Sequence, residues 1–305
     1  MKKLGYIDAL RGLAILGVLM IHCSNYYTSD NYSGIVQAIM GNGARGVQLF
    51  YVVSAFTLFL SLSNKRNTEN NSTLNFFIRR FFRIAPMYYI GIAYYLYQNG
   101  LGPGYWLGDA NGITYPNILS NILFIHGFNP YFITSVVPGG WTIAVEVMFY
   151  CLVPFLFHKI KNLDGAILFF LVALLLRTTL QSILAQSHFI SSEYLWKEYL
   201  FFYLPSQLPV FACGIIMFFL VTTQLDQWFV RPEYVLIITL LALMQLLTND
   251  SLSIFAPHIL FGVAFIAMGW VLSKRNYKFF VNPIFVYIGK ISYSITLYIL
   301  QCFTG

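Results

Sequence analysis

Residues 165–186 read GAILFFLVALLLRTTLQSILAQ, a run of 22 residues with one charge, Arg177. As a helix it would rise about 33 Å, enough to cross the hydrocarbon core of a bilayer at about 30 Å. A soluble amphipathic helix carries a charged face, and this stretch has none. The same pattern recurs on both sides of it. Apolar stretches run over Ile7–Tyr27, Arg45–Ser61, Ile84–Gln98, Trp141–Phe157, Tyr199–Val221, Tyr234–Leu247, Ile254–Leu272 and Ile284–Cys302. A further piece, Asn117–Phe128, sits between Gly/Pro/Asn-rich segments and either crosses or re-enters. The predicted fold is an all-α polytopic membrane bundle of about nine to ten transmembrane helices plus one short or re-entrant helix, forming a single domain over residues 1–305.

Composition supports that reading. Of 305 residues, 10% are charged and 58% hydrophobic, whereas a soluble surface needs about a quarter of its residues charged. The chain must be solvated mainly by lipid. Its net charge of +7 would suggest an anionic partner in a soluble protein. In a membrane protein cationic loops first report orientation, so the lipid bilayer is the expected partner and nucleic acid is not. The four cysteines, Cys23, Cys151, Cys213 and Cys302, lie far apart in apolar runs and match neither a disulfide framework nor a zinc site. The N-terminal Met1-Lys2-Lys3 and apolar run imitate a signal peptide, but Asp8 and Arg11 interrupt it and no small-x-small site follows. It reads as a retained first helix.

The cations settle the orientation. With a cytosolic N-terminus and a non-crossing Asn117–Phe128, the inner side collects Lys2, Lys3, Arg11, Lys65, Arg66, Arg79, Arg80, Arg83, Lys159, Lys161, Arg231, Lys274, Arg275, Lys278 and Lys290, fifteen of eighteen. Arg45 and Lys197 fall outside, and Arg177 lies mid-helix. If the piece crosses, the tally becomes nine against eight, so the positive-inside rule selects the first arrangement.

Ionisable groups within spans are costly and therefore mark candidate sites. Arg11 and His22 are eleven residues apart, about three turns plus 20°, which puts both on one face of the first helix about 16 Å apart along its axis. Glu146 follows Trp141 by five residues, at a depth matching that of His22. A His oriented by a carboxylate can act as a general base toward a hydroxyl, and the same spacing also suits a structural buried pair. Arg80 and Arg83 are one turn apart and can form a bidentate clamp for phosphate; a stop-transfer anchor is the bland reading. Arg177 needs a partner from another helix or a hydrated cavity. His126, His158, His188 and His258 read as ordinary polar or interface residues, since no two are spaced as metal ligands, and no metal is expected.

Taken together, these motifs resemble the acyltransferase 3 family of integral-membrane O-acyltransferases, such as O-antigen and peptidoglycan O-acetyltransferases. Arg11 with His22 is similar to the family's R-x10-H. Residues 46–56, GVQLFYVVSAF, resemble G-V-D-x-F-F-V-x-S-G-F. Arg80-Phe81-Phe82-Arg83-Ile84 with Pro86 resembles R-x-x-R-I-x-P. Trp141-Thr142-Ile143-Ala144-Val145-Glu146 with Phe149, Tyr150 and Pro154 resembles W-S-L-x-x-E-x-x-F-Y-x-x-x-P, and Ile291-Ser292-Tyr293-Ser294 resembles I-S-Y-S. The family's Asp is Gln48 here, its Gly is Ala55, and its late His is missing. The sequence stops at Gly305, before the family's usual final helix, and reads as a fragment, a short variant or a divergent member.

The resemblance also implies transfer of an acyl group, most often acetyl, from cytosolic acetyl-CoA or another acyl-CoA to a hydroxyl of a glycan or lipid-linked sugar. The chain would be a multi-pass protein of the cell's inner membrane. His22 would receive the acyl group or deprotonate the acceptor, with Glu146 orienting or stabilising it. Arg11, Arg79, Arg80 and Arg83 would bind the CoA phosphates, and Trp141, Ser54 and Gln48 would line the acceptor site. A transporter or flippase of a small polar or lipid-linked molecule is the alternative, with His22, Glu146 and Arg177 as a relay.

Overall fold

The computed structural model describes residues 4–26, 40–65, 70–102, 112–187, 189–223, 231–248, 256–275 and 277–302, with side chains left aside at 23–26 and 293–302. Lys2, Lys3, Arg66 and His188 therefore lie outside the described residues. Every regular element among those described is helical, and none is a strand. The helices are α1 (Gly5–Tyr26), α2 (Gly46–Lys65), α3 (Ser72–Asn99), α4 (Tyr115–Ile122), α5 (Gly140–Lys159), α6 (Leu163–Leu184), α7 (Glu193–Phe202), α8 (Leu204–Thr222), α9 (Pro232–Thr248), α10 (Pro257–Lys274) and α11 (Pro283–Cys302). Short 3-10 turns occupy Asn42–Arg45 and His126–Phe128. Among the described residues six helical stretches are long and apolar enough to cross a membrane: Gly5–His22, Asn42–Lys65, Gly140–Lys159, Leu163–Leu184, Glu193–Thr222 and Pro257–Lys274.

Two elements differ from the sequence reading, and a third agrees with the non-crossing arrangement it selected. The helix that carries the apolar stretch Ile84–Gln98 begins earlier than that stretch, at Ser72, so Arg79, Arg80 and Arg83 lie within α3. The expected span Tyr199–Val221 falls across two helices that part at Tyr203. Pro205 explains the break, because it lacks an N–H and disfavours helical geometry in the residue before it, so it is tolerated only in the first turn of a new helix. The piece Asn117–Phe128 contributes the eight-residue α4 and a 3-10 turn. Eight residues rise about 12 Å, too little to cross.

The chain divides into two compact units, residues 1–60, 162–168 and 210–305, and residues 61–161 and 169–209. In the first, α1 runs along α11 with backbones nearly touching. A Cβ on Gly12 would strike the Phe285 carbonyl oxygen, and one on Gly289 the Asp8 carbonyl oxygen. Ile15 and Val18 of α1 form a small core with Val47, Phe50 and Ile288. On the other side of α2, a Cβ on Gly214 would meet the Val52 carbonyl, and the Ala55 methyl would be only 2.7 Å away. The methyl that Ala55 adds where the family has glycine is thus accommodated by a glycine on α8. Tyr51 stacks on Phe211 with centroids 4.4 Å apart, and Glu233 pairs with Arg275 where α9 begins and α10 ends. Such contacts use small residues for close approach, the usual means of joining helices where lipid removes the hydrophobic drive between them.

The second unit is held by aromatic rings and a polar knot. Trp141 stacks on Phe202 at 4.4 Å, and Trp196 donates its indole N–H to the Leu184 carbonyl at 2.9 Å. Ser192 caps α7 by accepting from the Leu195 N–H. Asn117, Asn121, His126, Thr134 and Ser135 are all buried. Phe124 turns the chain between α4 and the 3-10 turn at φ 58°, a left-handed geometry costly for a bulky residue, and its ring stacks on Tyr88 and Tyr89.

Replacing Gly289 with Leu should force α1 and α11 apart and destabilise the protein by at least about 2 kcal/mol, seen as a lower unfolding temperature in detergent. Burial also pushes His126 down to about 4, against the pull of the nearby backbone at Gly140 and Ser120. Between about 4 and the ordinary histidine value near 6.5 the unfolded chain binds the extra proton, so stability should fall as pH is lowered through that window. The expected loss attributable to this residue is about 3 kcal/mol, read as the difference in pH-dependent unfolding between the native chain and H126Q.

Candidate functional site

The nine candidate residues divide between the units. Arg79, Arg80, Arg83, Trp141 and Glu146 belong to the second, and Arg11, His22, Gln48 and Ser54 to the first. Each set has its own geometry.

In the second unit α3 and α5 bring two of the sequence motifs together. Helical spacing sets Arg80 one turn before Arg83, while Phe76 lies one turn before Arg80 and buries completely. The Arg80 guanidinium carbon sits 5.6 Å from the Phe76 ring centroid and 5.9 Å from that of Tyr150. The two rings meet edge to face at 6.2 Å. On α5, Tyr150 reaches back one turn and donates its hydroxyl to Glu146 Oε1 at 2.7 Å. Cation, ring, phenol and carboxylate are therefore contiguous. Arg80 and Glu146 were expected as separate features, a cytosolic clamp and a deeper carboxylate, and Tyr150 is the residue that links them. The relevant signal was already in the sequence, since Glu146 and Tyr150 are four apart on a helix.

The electrostatics of α3 favour an anion. Burial lowers the Arg80 guanidinium from its usual range; Tyr150 and Glu146 oppose that, while Arg83 and Arg79 add to it. Three guanidiniums crowd one another on this helix, with Arg83 exposed and Arg79 and Arg80 half-buried. An arginine stays protonated under such pressure, so the relief available is an oxyanion with a matching fork geometry. Trp141, expected to line an acceptor site, is buried against Phe202 and Phe201 in the first turn of α5.

In the first unit, α1 is unbroken from Gly5 to Tyr26, so Arg11 and His22 lie on one helix three turns apart. Arg11 Nη1 contacts Asp8 Oδ1 at 3.3 Å, and Nη2 donates to Thr57 Oγ1 at 3.2 Å. Thr57 in turn donates to the backbone of α2 at Val53 or Ser54. Asp8 and Thr57 were not singled out from the sequence. Asp8 is recognisable as an i, i+3 partner, but Thr57 is 46 residues away and no local pattern reveals it. His22 is half-buried, Gln48 is buried near the start of α2, and Ser54 is half-buried. Gln48 and Ser54 are six residues apart, about 240° around the helix, so they occupy different faces.

Arg177, in the second unit, is half-buried on α6, and its Nε is enclosed without a hydrogen-bond partner among the described residues. Among the described residues no group of three or more His, Cys, Asp and Glu side chains could hold a metal ion.

Removing the Tyr150 hydroxyl with Phe should cost about 1.5 kcal/mol, the low end for a bond to a charged group because Glu146 is half-buried. Tyr150→Leu, which also removes the ring under Arg80, should cost about 3–5 kcal/mol. Thermal unfolding of the two variants in detergent would check both the order and the gap.

Residues 4–301, nearly the whole chain, match the family described as an acyltransferase domain. No curated protein and no solved structure matches the chain significantly.

Proposed function

The chain belongs to that acyltransferase family, and from this premise we propose that it moves an acetyl or other short acyl group from acyl-CoA to a hydroxyl of a surface glycan or lipid-linked sugar. It does so as a multi-pass protein of the inner membrane with its N-terminus in the cytosol. The observation that carries the donor assignment is the crowded cationic face of α3, where Arg79, Arg80 and Arg83 repel one another beside Tyr150 and Glu146. CoA offers phosphates suited to relieve that repulsion, and planar guanidiniums bind them bidentately. Arg11 joins the donor-binding set by its place in the R-x10-H motif, its side chain held by Asp8 and Thr57.

The chemistry requires little of the protein beyond position, a base and charge. The acceptor oxygen attacks the thioester carbonyl, a C–O bond forms as the C–S bond breaks, and CoA departs as the thiolate, which takes up a proton. His22 either accepts the hydroxyl proton or first takes the acyl group on an imidazole nitrogen; both roles need a neutral ring. Glu146 is assigned the part of orienting or charge-stabilising the histidine, and its carboxylate accepts a hydrogen bond from Tyr150. Trp141, Ser54 and Gln48 are assigned to the acceptor side.

With labelled acetyl-CoA and purified protein, His22→Ala should lose about 10² to 10⁴ of the transfer rate while the protein remains inserted and folded. Arg80→Ala and Arg83→Ala should each weaken acyl-CoA binding about tenfold or more in a direct titration. Near-normal transfer by the histidine variant would remove His22 from the chemistry, and unchanged binding by both arginine variants would return the cluster to a topogenic role.

A further inference from the structure

The buried knot of the second unit contains a group that the proposed chemistry does not use. Asn121 Nδ2 donates to the Asn117 carbonyl at 3.0 Å and to Asn117 Oδ1 at 3.1 Å, so its own Oδ1 faces Tyr88. Tyr88 donates its single hydroxyl hydrogen to that oxygen at 2.8 Å. His126 Nε2 lies 3.1 Å from the Tyr88 oxygen and 3.2 Å from the Gly140 carbonyl oxygen. With the phenol hydrogen already committed and a carbonyl able only to accept, the hydrogen must be on Nε2. The tautomer thus follows from the network. Ser135 extends it by donating to Asn117 Oδ1 at 2.7 Å.

The acceptor matters as much as the donor. Gly140 opens α5, directly before Trp141 and six residues before Glu146. It is preceded by Gly139 at φ 66°, a left-handed conformation, and a glycine there gives the helix start no side-chain cap. Two further features press the same turn into place. A Cβ on Gly140 would approach the Tyr88 oxygen to 3.0 Å, and a Cβ on Gly127 would come within 2.9 Å of Ala144 Cβ and Met148 Sδ. The turn carrying His126 therefore lies directly on α5, two residues before the candidate carboxylate and two after it.

We propose that His126 is a positioning residue: by donating from Nε2 to the Gly140 carbonyl and the Tyr88 oxygen it pins the first turns of α5, and through them sets Trp141 and Glu146. This rests on the reading of α5 as part of the transfer machinery. His126 itself neither touches substrate nor moves a proton in the reaction. It acts by keeping α5 in one register, a task for which the fixed geometry of a buried, internally bonded imidazole is suited.

The test compares three variants of the full chain: H126Q, whose amide can place a donor near the Nε2 position, H126L, which has no donor, and Y88F, which loses the bridging oxygen. Two readouts are taken, the kinetics of acetyl transfer from acetyl-CoA and the hydrogen exchange of backbone amides 144–148, with amides 235–241 of α9, in the first unit, as internal reference. H126L and Y88F should lower kcat about tenfold or more with KM for acetyl-CoA within about threefold, and should speed exchange at 144–148 but not at 235–241. H126Q should keep kcat, its pH profile and the exchange within about threefold of the native chain. Their double variant should lose little more than either alone, since both remove one network. Equal impairment of H126Q and H126L overturns the proposal, because a proton carrier or a shape-only role would not be rescued by an amide donor. Unchanged kcat in H126L overturns it too. If the native chain transfers no acyl group, the acyltransferase reading fails separately, and the exchange readout alone decides whether His126 pins α5.

Discussion

A polypeptide solvated mainly by hydrocarbon has to satisfy its own backbone, and this requirement governs the rest of the structure. Every N–H and C=O that water would otherwise bond must find an internal partner, and helices are the means by which this chain does so. Once every element is a helix, apolar burial no longer distinguishes one packing from another, since lipid tails are as apolar as leucine. Association then falls to close backbone approach and polar contacts. The first unit relies on the former, with Gly12 and Gly289 letting α1 and α11 meet at their carbonyls. The second relies more on the latter, with buried amides, hydroxyls and an imidazole joining α3, α4 and the start of α5.

The same rule explains why the polar residues are informative. A cation such as Arg11 or Arg80 inside or beside an apolar helix persists only with partners, and each has them: Asp8 and Thr57 for the first, the rings of Phe76 and Tyr150 for the second. The pairing differs in kind. Arg11 is held by hydrogen bonds, which leave a fixed charge at a fixed place. Arg80 is held by ring faces, which attract a cation while leaving its N–H donors uncommitted to the rings, and its neighbours Arg79 and Arg83 add charge. Of these arrangements the last is best suited to taking up an external oxyanion.

Some of this was legible in the sequence and some was not, for identifiable reasons. The span Trp141–Phe157 appears as α5 over Gly140–Lys159 with little adjustment because its hydropathy is high and uninterrupted. The start of α3 was hidden because Arg79, Arg80 and Arg83 lower local hydropathy without disfavouring a helix, so a scan for apolar runs cuts the helix at Ile84. The bond from Tyr150 to Glu146 follows from spacing alone, since the two are four residues apart on one helix. Thr57 beside Arg11, Gly214 beneath Ala55 and Tyr88 beside His126 do not, because each partner comes from another helix far away in sequence.

By itself, then, the sequence determined that the chain is a helical membrane protein, where most of its helices run, and which few ionisable groups require explanation. Those properties depend on local quantities, hydropathy and the 3.6-residue period, summed along one helix at a time. Only the tertiary structure decided which partner each polar group meets: that Arg80 and Glu146 share Tyr150, that Arg11 is tied to α2 through Thr57, and that His126 holds the start of α5. Partners of that kind depend on how glycines and aromatic rings let particular helices approach, and distances of an ångström between helices leave no trace in the period of either one.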